Sequence, residues 1–437
     1  MAMGRPVVAK EFDRRKQHMC ALPFSGLTIG ARGEIALCCA APEFSAKNLK
    51  EVRSLSAFYN GFEMDRVRTE MEEGRIASLS PCGDCFKRHS AGHRTLMTIA
   101  NDTWRSSLGK HFDADWRLRK QGKTAPVRFL EYTCSNICNQ TCASCSSFYS
   151  SKWRDLEQQF SDEEMKQFDR RVHGIQSLDE EDIQKIIKVL PDLDMLFIKG
   201  GEPWADKNNI AILNHALDVN PQCTFEIVSN MQAISESTFK MLEKVRTNAA
   251  TEFHVSASID ATGKVYDWIR GGRFKKTVEN MERYYEVTGR KLNIGPFVSI
   301  LNYFEIERII TYFVDKEYID GIVFWNISAY PPYIKVQNLP KAVCDARQEE
   351  LQTALPRLAD KMAKAGKYLN YESLLHDIQP NDPFSPKELK RSVQWIEKMN
   401  QIRGFRLQDH VSELQSVTEM ALAESAASAE VRLEYGH

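Results

Sequence analysis

The chain of 437 residues has no apolar run approaching the roughly eighteen residues that cross a bilayer, and no internal repeat. The first excludes a spanning helix from the sequence reading, the second a solenoid or propeller. It also has almost no net charge, 58 Lys and Arg against 59 Asp and Glu leaving −1, with the basic residues scattered. The electrostatic footprint of a nucleic-acid binder is therefore absent. The first seventeen residues are charged and lack an apolar centre, so neither secretion nor membrane insertion is expected. The ten histidines are dispersed. What the chain does have is apolar content of 43%, enough for two or three ordinary cores, and eleven cysteines. Without a route to an oxidising compartment, those cysteines read as thiols of a reducing cytoplasm rather than as disulfides.

Three of them stand in one short run, Cys138-Asn-Gln-Thr-Cys142-Ala-Ser-Cys145, directly after the strand-like Val127–Thr133. Thiolates packed this tightly in a loop are metal ligands or redox groups. A closed zinc site wants four ligands, and an ordinary [4Fe-4S] cluster also takes four cysteines. A cubane held by three leaves one iron open to a small molecule with amino and carboxylate groups, which is how S-adenosylmethionine (SAM) is held for reductive cleavage. Cys134, four residues before Cys138, leaves a second reading open, in which the loop supplies four ligands to a closed electron-transfer cluster.

From about Pro126 to Tyr330, short β-branched and aromatic runs alternate with amphipathic helical stretches. The expected strands are Val127–Thr133, Met195–Lys199, Thr224–Ser229, Glu252–Ile259, Leu292–Ile300 and Gly321–Ile327. Strands alternating with helices imply an α/β fold with a parallel sheet and right-handed crossovers, and six are too few for a closed eight-stranded barrel. Ligands of such sheets bind at the carboxyl ends of strands. The cysteine triplet follows the first strand, and Gly200-Gly201-Glu202-Pro203 ends the second. Asn230 closes the third. After the fourth come Ser258 and Asp260, which share a strand face, and then Arg270, a planar fork suited to a carboxylate. For Asn230 the alternative role is a turn residue, and for Asp260 a helix N-cap. Asn302, at the end of strand five, divides in the same way. His254 reads as a core histidine ahead of one facing the lumen, and Tyr132, Tyr330 and Trp325, which flank strand ends, read either as lining of a substrate cavity or as packed aromatics.

The Cys-x3-Cys-x2-Cys loop, the GGEP turn, the Ser-x-Asp at 258–260 and the Arg270-Gly-Gly stretch together resemble the radical SAM superfamily. The resemblance implies a partial (β/α)6 TIM-like barrel over residues 124–330. It also implies a [4Fe-4S] cluster on Cys138, Cys142 and Cys145 that chelates SAM, and generation of a 5′-deoxyadenosyl radical that takes a hydrogen atom from substrate. In that family the GGEP turn, here Gly200, Gly201, Glu202 and Pro203, holds the methionyl amino group. Ser and Arg at positions like Ser258 and Arg270 contact the SAM carboxylate or ribose. A one-electron reductant such as flavodoxin or ferredoxin is implied as a partner.

The N-terminal region carries a second set of thiols. Cys20, Cys38, Cys82 and Cys85 bracket a hairpin-like run, Leu27–Leu37, and a helical stretch, Asn48–Glu73. Four thiolates can fully ligate a cluster or a zinc ion. Over residues 1–110 these features resemble a twitch domain, the one-cluster relative of the SPASM domain, which implies an auxiliary [4Fe-4S] cluster assisting electron transfer. Here it precedes the barrel instead of following it. Cys39 neighbours Cys38; adjacent strand residues point to opposite faces, so only one should ligate, and the Gly33-x4-Cys38 register of the resemblance favours Cys38. Residues 331–437 are expected to form a helical extension and tail, with a helix over Lys387–Arg403 and one beginning near Ala342. Families of this architecture modify peptides or dehydrogenate small molecules. Peptide or protein modification is the expectation, the small-molecule reaction and a noncatalytic iron-sulfur carrier the alternatives.

Overall fold

The computed structural model describes residues 19–41, 47–80, 82–92, 95–102, 111–248, 250–324, 326–327, 330–378 and 385–421. Trp325 and the tail beyond 421 lie outside the described residues. The strands are β1 (Gly26–Ile29), β2 (Ile35–Ala36), β3 (Phe129–Tyr132), β4 (Met195–Ile198), β5 (Thr224–Ser229), β6 (Glu252–Ala257), β7 (Leu292–Ile294), β8 (Phe297–Val298), β9 (Ile319–Val323), β10 (Asn326–Ile327) and β11 (Tyr368–Asn370). Nine of them hydrogen-bond in the order β11-β9-β7-β6-β5-β4-β3-β1-β2, and β8 and β10 form a separate pair. The order has two ends, so the sheet is open. The six strands expected from sequence are β3, β4, β5, β6, β7 and β9, and a helix lies between each successive pair. The expected α/β class with a mostly parallel sheet and a helical extension is what the chain adopts.

Two expected strands are shorter than they read. Leu292–Ile300 breaks into β7 and β8 at Gly295-Pro296, because proline has no N–H for the ladder and restricts the residue before it. Gly321–Ile327 begins two residues earlier, at Ile319, and breaks after Val323. The helix near Ala342 is longer than its sequence pattern, Lys341–Lys364, and the one expected at Lys387 spans Pro386–Arg403.

Contacts group the chain into two compact units. The first takes in residues up to Ile137, Ile175–Val228 and Ser235–His254; the second takes in Cys138–Gly174, Ser229–Ile234 and the chain from Val255 onward. In the first unit β1 and β2 form an antiparallel hairpin, and β1 pairs in parallel with β3, Gly26 opposite Phe129. Helices here follow local chemistry. Glu180–Ile187 starts on the Asp179 side chain, puts three acids in its first turn and buries Ile183 and Ile186. Glu236–Thr247 starts on Ser235. A core of Leu22, Ala100, Phe129 and Met195 has Cys20 and Cys38 packed against it. In the second unit β7 pairs in parallel with both β6 and β9, and β9 with β11.

Candidate functional site

The triplet loop belongs to the second unit and has no regular secondary structure. Side chains and two backbone bonds fix it instead: Ala143 N–H donates to Ile269 O at 2.6 Å, and Cys145 N–H to Cys142 O at 2.9 Å. Burial pushes the Cys145 thiol up, and the sulfurs of Cys142 and Cys138 add to the effect. Cys145 is thus close enough to Cys138 and Cys142 to feel both. Burial also pushes Cys142 up, opposed by the Arg270 guanidinium beside it. The Asn230 carboxamide donates to Asn139 Oδ1 at 2.8 Å and lies 3.9 Å from Cys138 Sγ, while its own Oδ1 accepts from Gln232 N–H. Asn230 therefore shapes its turn and touches the triplet loop at once.

Arg270 ends the helix Gly263–Arg270 and donates from Nη1 to Asp260 Oδ2 at 3.0 Å. Its Nε is buried and has no hydrogen-bond partner. Asp260 is not the N-cap of that helix, which is Thr262. It is 1% exposed and its other oxygen accepts from Phe297 N–H at 2.8 Å. Asn302 is buried and donates to Asp260 O at 2.7 Å, so it supports Asp260. Ser258 is half-buried and its N–H donates to Ser229 O. The two glycines after Arg270 are dictated by crowding. Gly271 has φ +62, and a Cβ there would lie 2.5 Å from Thr141 Oγ1; one on Gly272 would lie 2.4 Å from Gln140 Nε2.

The GGEP turn belongs to the first unit. Gly200 and Gly201 have φ of +89 and +27, and a Cβ on either would lie 2.0 Å from Thr133 Cγ2 or 2.3 Å from Ile137 O. Only glycine fits both demands. Glu202 N–H donates to Ile137 O at 2.7 Å, which ties the turn to the residue preceding Cys138 in the chain. The Glu202 side chain is 1% exposed and accepts from Trp204 N–H, and Pro203 begins a short 3₁₀ turn. Cys134, in the same unit, is fully buried; burial and the Asp206 carboxylate hold its thiol up.

Cys20, Cys38, Cys82 and Cys85 come together within the first unit. Asn101 pins the backbone on both sides of Cys20, donating to Met19 O at 2.8 Å and accepting from Ala21 N–H at 2.9 Å. Cys82 and Cys85 lie one turn apart on helix Cys82–Ser90. Burial pushes Cys20 up to about 12, with Cys82 and Cys85 contributing. Cys38 is pushed up by burial and then by Cys20. Cys82 is pushed up to about 11 by burial and Cys85. Cys38 and Cys39 lie in a bend beyond β2 rather than on a strand, and they part company: Cys39 faces Glu131 and Lys199. Among the described residues no three His, Cys, Asp or Glu side chains are drawn in around a single metal ion.

Sequence reading missed several groups. In the first unit, Thr28, Glu131, Phe197 and Glu226 form one cross-strand row by register. Lys199, one residue beyond the end of β4, pairs with the buried Glu131. Burial and the Glu252 carboxylate raise Glu226 to about 7. His254, expected in the core, is exposed, because β6 buries its alternate residues Phe253 and Val255. Arg170, Trp395 and Arg403 of the second unit hold the triplet loop and had no local signal. Tyr132 is buried and Tyr330 exposed.

No protein family matches the chain, and no curated protein does. Remote likenesses to solved structures exist. Streptococcus suis SuiB bound to S-adenosylmethionine is 16% identical, with 70% of this chain and 61% of that one covered and a TM-score of 0.40. SuiB bound to the precursor peptide SuiA gives 15%, 70%, 61% and 0.39. Native anSMEcpe with bound AdoMet gives 17%, 55%, 62% and 0.38. This chain thus spans about three fifths of the length of each. The fold here rests on the strand order, and the site on its own geometry.

Proposed function

We propose that this chain is a radical SAM enzyme that removes a hydrogen atom from a peptide or protein substrate. Cys138, Cys142 and Cys145 would hold the catalytic [4Fe-4S] cluster. Gly200, Gly201, Glu202, Pro203, Asn230, Ser258, Asp260 and Arg270 would contact SAM. The observation that carries this reading is the Arg270 guanidinium, whose side chain is 12% exposed and whose Nε is buried. It lies beside Cys142, is oriented by Asp260 and has a donor, Nε, with no acceptor. A buried donor without a partner is costly, and a carboxylate ligand would satisfy it. When bound, the cluster and SAM supply, on one-electron reduction, a carbon radical able to attack an unactivated C–H bond.

The chain's residues do the remaining work. Asp260 fixes the direction of the Arg270 fork and is itself held by Phe297 N–H and Asn302. The glycine pair at 200–201 lets the turn approach Ile137 O closely. Cys20, Cys38, Cys82 and Cys85 would hold an auxiliary [4Fe-4S] cluster. With four ligands it has no vacant site, which suits it to accept the electron left on an oxidised substrate. The strand row of the first unit carries carboxylates and the Lys199–Glu131 pair, groups that suit a polar, extended substrate. No helix among the described residues is long and apolar enough to cross a membrane. The eleven cysteines are thiols rather than disulfides, in keeping with the proposed cytoplasmic setting and a flavodoxin or ferredoxin as reductant.

The test is anaerobic incubation of the reconstituted protein with SAM and dithionite, with 5′-deoxyadenosine followed by mass spectrometry. Release is expected, and weaker SAM binding in Arg270→Gln. No release from a protein whose cluster is intact and reducible would overturn the reading. Adding peptide pools and small alcohols separately then shows which of them accelerates release.

A further inference from the structure

The carbonyl oxygens of the triplet loop are held by side chains. Gln140 O accepts from Ser150 Oγ at 2.6 Å, Cys142 O from Trp153 Nε1 at 2.9 Å, Ala143 O from Trp395 Nε1 at 3.2 Å and Cys145 O from Arg170 Nη2 at 2.8 Å. Thr141 is bound by Arg403, the last residue of helix Pro386–Arg403, which donates to both its carbonyl and, at 2.9 Å, its hydroxyl. Arg403 Nε donates to Trp268 O at 2.7 Å.

Two guanidinium groups therefore grip one loop, and they differ in charge balance. Arg170 lies 4.3 Å from the ring centroids of both Trp153 and Trp395, and Glu157 neutralises it at 2.7 Å. Arg403 has three oxygen acceptors, none of them a carboxylate, and no ion pair among the described residues. Burial lowers it to about 10, and the group that opposes the shift is Cys142. Its slot is built: a Cβ on Gly271 would lie 2.9 Å from Arg403 Nη2. A half-buried cation with no carboxylate partner still gains from a nearby anion, and the anion on offer is the thiolate centre.

Resting on the cluster reading above, we infer that Arg403 is the counter-ion of the triplet centre. It is a positioning residue that fixes the Thr141–Cys142 peptide and raises the reduction potential of the cluster held there. A fixed positive charge beside an anionic cluster favours the added electron. Arg170, paired with Glu157, supplies the grip with little net charge.

The test is the midpoint potential of the full-length protein's SAM-responsive cluster, from an EPR-monitored redox titration. Arg403→Gln should make reduction at least about tenfold less favourable, a shift of about 59 mV to the negative for one electron. Arg403→Lys keeps the charge and should titrate with the wild type. The double variant Arg170→Gln/Glu157→Gln removes a grip at no net charge; it should lose iron faster on dilution yet keep the potential. If Arg403→Gln holds its cluster at the wild-type potential, the inference fails and the radical reading stands. If Arg403→Gln holds no cluster, Arg403→Lys decides: full iron at the wild-type potential supports the inference, and a displaced potential overturns it. A wild type without any SAM-responsive cluster removes the reading beneath both.

Discussion

Cys20 and Cys38 pack against Leu22, Ala100, Phe129 and Met195, whereas Cys142 and Cys145 lie among guanidinium groups. The contrast shows in what opposes burial at each thiol. For Cys20 and Cys38 it is the backbone N–H of Leu22 and of Ala40. For Cys142 it is first Arg270 and then Arg403, and for Cys145 the backbone N–H of Ser146 and then Arg170. In the proposed roles, a centre that must also hold a ligand's carboxylate gains from cations nearby, whereas one that only passes electrons has no such need. The same residue type in two surroundings thus points to two jobs.

Cys142→Ala breaks the comparison hardest. It should remove iron from the triplet alone and lower 5′-deoxyadenosine release by more than the roughly 100-fold that loss of an outer-shell partner costs, read by iron assay and mass spectrometry. Gly201→Ala attacks the turn's close approach. With a Cβ 2.3 Å from Ile137 O at φ +27, a loss of about 3 kcal/mol is expected in urea unfolding.

Glu226→Gln probes the charged row instead. A carboxyl raised from 4.5 to about 7 stays protonated in the folded state while the unfolded chain ionises, so it costs stability as pH rises from 4.5 through 7. The variant should gain up to about 3 kcal/mol at pH 8 and nothing near pH 4, by denaturant midpoints at the two pH values. Asp260→Asn should weaken SAM binding by about 10- to 100-fold, as loss of an orienting partner does, measured by titration calorimetry. Smallest is Cys134→Ala, which should leave iron content and SAM cleavage unchanged because Cys134 packs against Asp206; loss of iron would make it a fourth ligand.

Local pattern carried much of the fold. Thr224–Ser229 is β5 from end to end, and Met195–Lys199 overruns β4 by one residue, because short β-branched and aromatic runs have few other places to go. The misses are non-local. β11 is three residues, Tyr368–Asn370, defined by pairing with β9 rather than by composition. The hairpin over Leu27–Leu37 was legible, but its parallel pairing with β3, a hundred residues on, was not. At the site, the cysteine spacing and the glycine turns could be read because their chemistry is contiguous. Arg403 and Trp395 could not, since they meet the loop only through tertiary contacts across some 250 residues.

The division of labour between the two thiol groups is tested most directly by Cys82→Ala beside the wild type, with iron, 5′-deoxyadenosine and product measured on the same anaerobic samples. The account predicts about eight irons in the wild type and about four in the variant, with SAM cleavage retained and product formation stopped. Unchanged iron, or loss of SAM cleavage together with product, would contradict it.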